Sequence, residues 1–159
     1  MKKIVCVLLG LGFTSLVNAA GYGVVDIEKV VESSTYLKQQ NASLEQMVKP
    51  DSAKLEKISK DIQSLQQQAQ AKGANPEQIQ KQYQAKVTEY QSVQQSVQAK
   101  VQTTIQNTNK TFETRVKQAA EQLRQENNLD MVLNKNSALA YDAKNDLTAK
   151  MIQKVNAIK

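Results

Sequence analysis

Histidine is absent from this sequence, and cysteine occurs only once, at Cys6. Histidine is the commonest general base and a frequent zinc ligand, and the cysteine thiolate is both a nucleophile and a metal ligand. Carboxylate chemistry is the main catalytic route left, yet the acidic residues are scattered along predicted helices without a paired placement. We therefore expect a protein that is not an enzyme and that uses no metal and no cofactor.

Proline and glycine are also scarce, with two prolines and five glycines in the chain. Between residues 35 and 126 they form one strong turn signal, Gly73-Ala74-Asn75-Pro76. Apolar residues recur at helical spacing on both sides of this turn. Residues 35–126 are therefore predicted to form a coiled-coil helical hairpin, an arm with its tip at 73–76. Each helix of such an arm packs against one neighbour, which is too few to build a deep pocket. The arm is therefore expected to extend from the protein and to contact or enclose a partner.

The longest apolar run lies at the start of the chain. Met1-Lys2-Lys3 is positively charged, residues 4–17 are mostly apolar, and Val17-Asn18-Ala19 is a small-residue cleavage site. The apolar run of about fourteen residues is shorter than the ~20 that a bilayer span needs, which disfavours the alternative of a membrane anchor. We expect residues 1–19 to be a signal peptide cleaved after Ala19, and the mature protein to be periplasmic.

Positive charge exceeds negative charge mainly in the arm, where residues 36–125 carry a net charge of +5. Such a surplus favours acidic partners or anionic membrane surfaces, although solvated lysines on a helix surface are the alternative. Nucleic-acid binding is not expected, because the charge is dispersed and arginine is scarce. The candidate basic surface comprises six lysines of the distal arm: Lys54, Lys57, Lys60, Lys72, Lys81 and Lys86.

The outgoing helix of the arm has a heptad-like apolar seam. Its spacing predicts that one face packs against the returning helix. Pro50 lies inside this helix, removes a backbone donor and clashes with the preceding turn, so we expect a kink or a local break there. The seam residues are Leu37, Leu44, Val48, Leu55, Ile58, Ile62, Leu65 and Ala69.

The returning helix has a thinner seam, in which valine, tyrosine, threonine and alanine outnumber leucine. Its apolar residues average about 3.67 residues per step, which predicts a nearly straight helix pair. With twenty-two glutamines in the chain, the arm should be soluble, marginally packed and flexible. The seam runs through Ile79, Tyr83, Val87, Tyr90, Val93, Val97, Val101, Ile105, Thr108, Phe112, Val116, Ala119 and Leu123. Candidates for partner contact or hinge are Pro50, Tyr83, Tyr90 and Val97, although the apolar ones also suit a seam.

The two chain ends are predicted to form a small head, residues 20–34 and 127–159. The first strand lies within residues 21–27, and Asp26 caps a short helix after it. The Ser33-Ser34-Thr35 cluster supplies the cap from which the arm begins. The fold class is therefore α+β, mostly α, with the long hairpin inserted in the head.

The second half of the head begins where the helical period ends, at Asn127-Asn128. Residues 129–133 and 138–141 are predicted to form the second and third strands. Asn145 or Asp146 then caps a final helix. The apolar stripe of that helix comprises Leu147, Met151, Val155 and Ile158.

The head has about forty-eight residues, close to the ~40-residue limit below which a domain needs outside support. Its few strands also leave sheet edges open. We therefore expect oligomerisation through the sheet. The candidate interface residues are Val24, Val132, Leu139 and Tyr141.

The head segments carry a resemblance to a known family. Gly23-Val24-Val25-Asp26-Ile27-Glu28-Lys29-Val30, Ala138-Leu139-Ala140-Tyr141 and Asp146-Leu147-Thr148-Ala149, in this order around a glutamine- and lysine-rich hairpin, resemble the Skp/OmpH family of periplasmic chaperones. The resemblance covers essentially the whole predicted mature chain.

The resemblance implies a homotrimer whose heads share a β-barrel and whose arms surround a cavity. It also implies that the cavity holds unfolded outer-membrane β-barrel proteins without ATP. Flexible arms with a weak, diffuse inner surface suit the binding of many clients. The family's basic lipopolysaccharide-binding cluster is not matched, because Lys100 is the one basic residue in positions 93–104.

An alternative interpretation from a different class is a periplasmic coiled-coil adaptor. Such a protein would bind one folded envelope partner through the hairpin tip, residues 73–77. An adaptor should lose its single partner when the tip is changed, whereas a chaperone should suppress the aggregation of several unfolded proteins.

Overall fold

The computed structural model describes residues 21–70 and 75–158. The predicted signal peptide lies outside these residues, as do Lys72 and the tip residues Gly73 and Ala74.

The chain enters the fold through a strand and a short helix. Strand β1 spans Tyr22–Val25, and helix α1 spans Ile27–Ser33. The side chain of Asp26 accepts a hydrogen bond from the Lys29 N–H at 3.2 Å, so Asp26 caps α1 as predicted. Lys135 lies 3.1 Å from the same carboxylate, and the two contacts lower the pKa of Asp26, the Lys29 N–H contributing most.

Two long antiparallel helices form the hairpin. Helix α2 spans Thr35–Gln68 and begins where the Ser34 hydroxyl accepts from the Leu37 N–H. Helix α3 spans Pro76–Glu126; Asn75 caps it and proline occupies its first turn, where a missing N–H costs nothing.

Helix α3 ends in a left-handed residue, Asn128, with φ of 51°. The Asn128 N–H donates to the carbonyl of Gln125, and the Leu129 N–H donates to that of Arg124 at 2.9 Å. This is the Schellman arrangement, and asparagine tolerates the left-handed conformation better than most residues. The helix therefore ends at the asparagine pair that the sequence indicated.

The returning chain adds a strand beside the first. Strand β2 spans Met131–Asn134 and is parallel to β1, with Tyr22 opposite Met131 and Val25 opposite Asn134. Helix α4, Thr148–Ala157, follows two short 3-10 turns.

The capping position of α4 lies one residue after Asp146, the later of the two predicted caps. Leu147 is the capping residue by position and makes no side-chain cap bond. The Asp146 carboxylate one residue earlier accepts from the Thr148 N–H at 2.9 Å. Asp146 thus still satisfies a free N–H of the first turn.

The predicted third strand at residues 138–141 is wrong. This segment is irregular and lies between 3-10 turns at Lys135–Ser137 and Ala143–Asn145. Asn134 and Asp142 accept hydrogen bonds from backbone N–H groups two residues later, which favours turns. A strand also needs a neighbour, and β1 is already occupied by β2 on one side and by a bridge from Val24 to Asp146.

One hydrophobic core joins the head elements to the base of the hairpin. The predicted stripe of α4 faces this core, and Val25 and Val30 reach it from β1 and α1. The core also contains residues of α3 that the sequence assigned to the arm seam. Its buried members are Val25, Val30, Phe112, Ala119, Leu123, Leu147, Met151 and Val155.

Packing within the hairpin is uneven. In α2, no side chain of residues 35–57 is buried, whereas Ile58 is fully buried and Leu65 nearly so. In α3, residues 76–111 contain no fully buried side chain. The middle of the hairpin, residues 38–57 of α2 and 90–111 of α3, therefore contains no buried side chain. The predicted mostly helical fold, with a long hairpin and a small strand pair, is confirmed.

Candidate functional site

The hairpin offers the most extended surface of the chain, and the predicted contact residues lie along its α3 side. Tyr83, Tyr90 and Val97 are all half-buried. The Tyr83 hydroxyl lies 3.5 Å from the Gln66 side-chain nitrogen of α2, which places this tyrosine at the junction of the two helices. Half-buried positions keep part of each apolar side chain accessible, so partner contact by these residues stays a prediction.

Among the residues that the structure describes, three ion pairs connect the two helices of the hairpin. Lys100 lies 2.7 Å from Asp51, and the other two pairs are Lys86 with Asp61 and Lys54 with Glu89, at 2.8 and 3.1 Å. All six side chains belong to the part of the hairpin from Asp51 outward. These ion pairs therefore favour one register of α2 against α3 over the distal arm.

The electrostatics of this network favour the ionised carboxylates. A hydrogen bond from Lys54 holds the pKa of Glu89 below its usual range, with a smaller contribution from Lys86. A hydrogen bond from Lys86 likewise lowers the pKa of Asp61, and Asp61 raises the pKa of Lys86. All of these side chains are at least one-third exposed, so each pair contributes little to stability by itself.

The predicted basic surface is largely neutralised by neighbouring acids. Besides Lys54 and Lys86, Lys60 pairs with Glu56 at 2.7 Å and Lys81 with Glu77 at 3.0 Å. Lys57 is exposed and makes no ion pair among the described residues, and Lys72 lies outside them. Attraction of an acidic partner thus requires competition with these carboxylates.

Grooves run along the hairpin where its packing is thin. One of about 200 Å³ includes Leu37, Leu44 and Ile105 in its lining, and another of about 420 Å³ includes Met47. Ile105 is 45% exposed and Met47 43% exposed. A third groove, of about 430 Å³, lies among the distal ion pairs. Sequence reasoning placed Ile105 in the seam and did not single out Met47, because a thin seam gives no signal of which apolar residues stay exposed.

The predicted local break at Pro50 is wrong, because α2 continues through this residue. Proline removes the N–H that would bond the carbonyl of Gln46, but both residues are exposed and water can serve that carbonyl. The ion pair of Asp51 with Lys100 ties the next residue to α3. The alternative expectation, a kink or joint without a break, stays a prediction.

Replacing Pro50 with alanine is expected to stiffen the arm, because the restored N–H can bond Gln46 and alanine favours helix. In the predicted homotrimer, spin labels on the tips of two arms should then show a narrower distance distribution than in the parent protein. Ser52→Ala, a change on the exposed surface two residues away, is the control. Equal distributions for Pro50→Ala and the parent would place any joint elsewhere.

The four candidate interface residues of the head differ in their environment. Leu139 is fully exposed, and Tyr141 is half-buried. Val132 is partly buried and packs against the core of its own chain. Val24 is 1% exposed within a single chain, and its place at an interface between copies stays a prediction. Because Val25 on the opposite strand face is buried too, both faces of β1 are covered.

The described residues contain neither a membrane-spanning helix nor a cluster of metal ligands. In residues 21–70 and 75–158, no helix has the length and apolar character needed to cross a bilayer. The same residues contain no group of three or more acidic, histidine or cysteine side chains arranged to hold a metal ion.

The described residues match a known family along nearly their whole length. The family model for outer membrane proteins of the OmpH-like type matches residues 21–155. The chain belongs to the OmpH-like family. This OmpH-like protein therefore carries the family pattern through both head segments and the hairpin together.

A solved structure shows the same architecture at low identity. It is that of an OmpH-like protein from Caulobacter crescentus CB15, proposed to be an outer membrane chaperone. The two structures have a TM-score of 0.72 and 18% sequence identity, over 87% of this chain and 85% of the other. At this identity the similarity concerns the fold. A search of curated protein sequences gave no match.

Proposed function

We propose that this OmpH-like protein is an ATP-independent holdase chaperone of the periplasm. It binds unfolded outer-membrane β-barrel proteins and prevents their aggregation during transit. The observation that carries the proposal is the hairpin itself, which keeps apolar side chains half-exposed along grooves instead of burying them. A surface of this kind makes many weak contacts and suits unfolded chains of varied sequence.

The proposed assembly is a homotrimer joined through the heads. The sheet has two strands in the described residues, and Leu139, in the segment between β2 and α4, is fully exposed, which leaves apolar surface for a second copy. Three arms then surround one client, and weak contacts on each arm add through their high local concentration. The domain division that we propose is the predicted one: signal peptide, head, and arm with its tip at residues 73–76.

The membrane is at most a transient contact in this proposal. Most of the described distal lysines already have carboxylate partners, so an anionic membrane competes with these acids for them. Client binding therefore rests on the apolar grooves more than on the arm's charge.

The test is dilution of denatured outer-membrane proteins into buffer without ATP, followed by light scattering. At one trimer per client, the protein is expected to suppress the aggregation of several different barrels. Failure to delay the aggregation of any of them overturns the proposal. Binding to a single folded partner, lost when residues 73–77 are changed, supports the adaptor alternative.

A paired variant locates the binding surface in the same assay. Met47→Gln with Ile105→Gln removes exposed apolar groups from the middle of the hairpin and should lower suppression several-fold. The matched control is Val31→Gln, an equally exposed apolar residue, 43%, on α1 of the head. Equal loss in both variants contradicts the assignment of client contact to the hairpin grooves.

A further inference from the structure

A one-residue break separates helices α1 and α2 at the base of the hairpin. Ser34 has an extended backbone, with φ of −69° and ψ of 115°, and is 1% exposed. Such a break leaves carbonyl groups at the end of α1 and N–H groups at the start of α2 without partners in their own helices. These groups need partners from elsewhere.

A single side chain of α4 bonds both sides of this break. The Asn156 side-chain oxygen accepts from the Thr35 N–H at 2.9 Å and from the Thr35 hydroxyl at 3.1 Å. The Asn156 side-chain nitrogen donates to the carbonyl of Ser33 at 3.2 Å. Asn156 thus fixes the last residue of α1 and the first residue of α2 to the same point on α4.

A second contact joins α3 to α2 and to the end of α4, at the residue next to Thr35. The Arg115 guanidinium of α3 lies over the Tyr36 ring of α2, 4.1 Å from the ring centre. Its Nη1 atom donates to the carbonyl of Ile158, just after α4, at 2.6 Å. A planar guanidinium can stack and donate at once, which a lysine cannot reproduce.

The two helices of the hairpin are held at their bases in different ways. Helix α3 is anchored by the core, where Ala119 and Leu123 are fully buried, and by the ion pair of Glu126 with Lys154 at 2.6 Å. The first turn of α2 has no fully buried side chain. Tyr36 and Leu37 are partly buried against the core, so the base of α2 is held by this packing together with the polar contacts of Thr35 and Tyr36.

Bending a pair of helices in their common plane requires one helix to slide along the other. For axes ~9 Å apart, a 20° bend needs a slide of about 3 Å, or about two residues of helical rise. The middle of the hairpin, with no fully buried side chain, can accommodate such a slide. Pinning the base of α2 prevents it.

We propose that Thr35, Tyr36, Arg115 and Asn156 form a latch that restrains bending of the hairpin. While the latch is closed, α2 cannot slide along α3, and the tip stays at a defined distance from the head. When it opens, the hairpin bends through its thinly packed middle. The latch concerns the stiffness of one arm and does not depend on the proposed chaperone function.

The test measures the distance from head to tip by pulsed electron spin resonance. Spin labels are placed at Gln78→Cys and Gln153→Cys in the full chain with Cys6→Ser, mixed with excess unlabelled chain to isolate distances within one chain. Helix α3 between Phe112 and Gln78 spans about 50 Å, within range of the method. Asn156→Ala is expected to widen the distance distribution at least twofold.

Two controls separate the latch from general loosening. Asn136→Ala removes another exposed head hydrogen bond, to Glu28, and should leave the width unchanged. Labels at Lys57→Cys and Gln91→Cys, within the ion-paired distal arm, should give the same distance in Asn156→Ala and in the parent. A distribution in Asn156→Ala as narrow as in the parent overturns the proposal.

A second variant decides the matter if Asn156→Ala lowers the melting temperature of the head. Arg115→Lys keeps the charge but loses the stacked planar group and its bond to Ile158. It should also widen the distribution while the head melts at the parent temperature. An unchanged width in Arg115→Lys, with the head intact, overturns the latch.

Discussion

Replacing Leu139 with aspartate is expected to convert the proposed trimer into monomers. Leu139 is fully exposed in the single chain, so the change leaves the fold of one protomer undisturbed. At an interface between heads, the same change buries an unpaired charge, at a cost of ~3 kcal/mol or more at each site. Three such sites in a trimer amount to ~9 kcal/mol, or more than a millionfold in the association constant.

Sedimentation velocity of the parent and the variant at equal concentration measures this result. The control is Val31→Asp, which places the same charge at an exposed apolar residue of α1, away from the sheet. The parent and the control should sediment as trimers, and Leu139→Asp as a monomer with unchanged helical content. A Leu139→Asp trimer as stable as the parent would exclude this residue from the interface.

Leu139 is a sharper probe than two of the other candidates. Val132 packs against the core of its own chain, so a charge there damages folding and assembly together. Tyr141 is half-buried within the protomer and has the same weakness to a lesser degree. Leu139 separates the effect on assembly from the effect on folding, because its exposed side chain makes no packing contact that folding of its own chain requires.

Periodicity was sufficient to predict the elements that depend on local sequence. The seam of α2, the caps at Asp26 and Ser34, and the end of α3 at Asn127-Asn128 follow from residue spacing and capping chemistry. The predicted third strand is wrong because a strand depends on contacts with a distant segment and not on local sequence alone. An alternating apolar segment forms a strand only beside a partner, and residues 138–141 pair with no strand in the described part of the chain.

Contacts between distant residues could not be read from spacing. The seam of α3 looks continuous in the sequence, yet Phe112 and Leu123 are buried in the head core together with α4. The ion pair of Lys54 with Glu89 depends on the register of two helices across a turn. The bond from Thr35 to Asn156 joins residues 121 positions apart, and neither residue belongs to a local pattern that predicts it.

Replacing Leu123 with alanine is expected to be among the most destabilising single changes in the chain. Leu123 is fully buried where α3 meets the core, so the change removes apolar contacts and leaves a cavity. Leucine-to-alanine changes of this kind cost ~2–5 kcal/mol, a large part of the ~5–15 kcal/mol that stabilises a typical domain. A head of about forty-eight residues has little reserve against such a loss.

Urea unfolding followed by circular dichroism measures this cost, at one protein concentration because folding and assembly are coupled. Ile105→Ala, at a 45% exposed position of the same helix, is the control and should cost below ~1 kcal/mol. Equal costs for the two variants would contradict the placement of Leu123 in the core.

The shape of the unfolding curve tests how the hairpin depends on the head. The middle of the hairpin has no fully buried side chain, so its helices gain little from packing on each other and rely on being anchored at their bases. Leu123→Ala should therefore shift the whole helical signal, including that of the distal arm, to lower urea in one transition. A helical fraction that persists after the head unfolds would instead mean that Ile58, Leu65 and the ion pairs stabilise the distal arm by themselves.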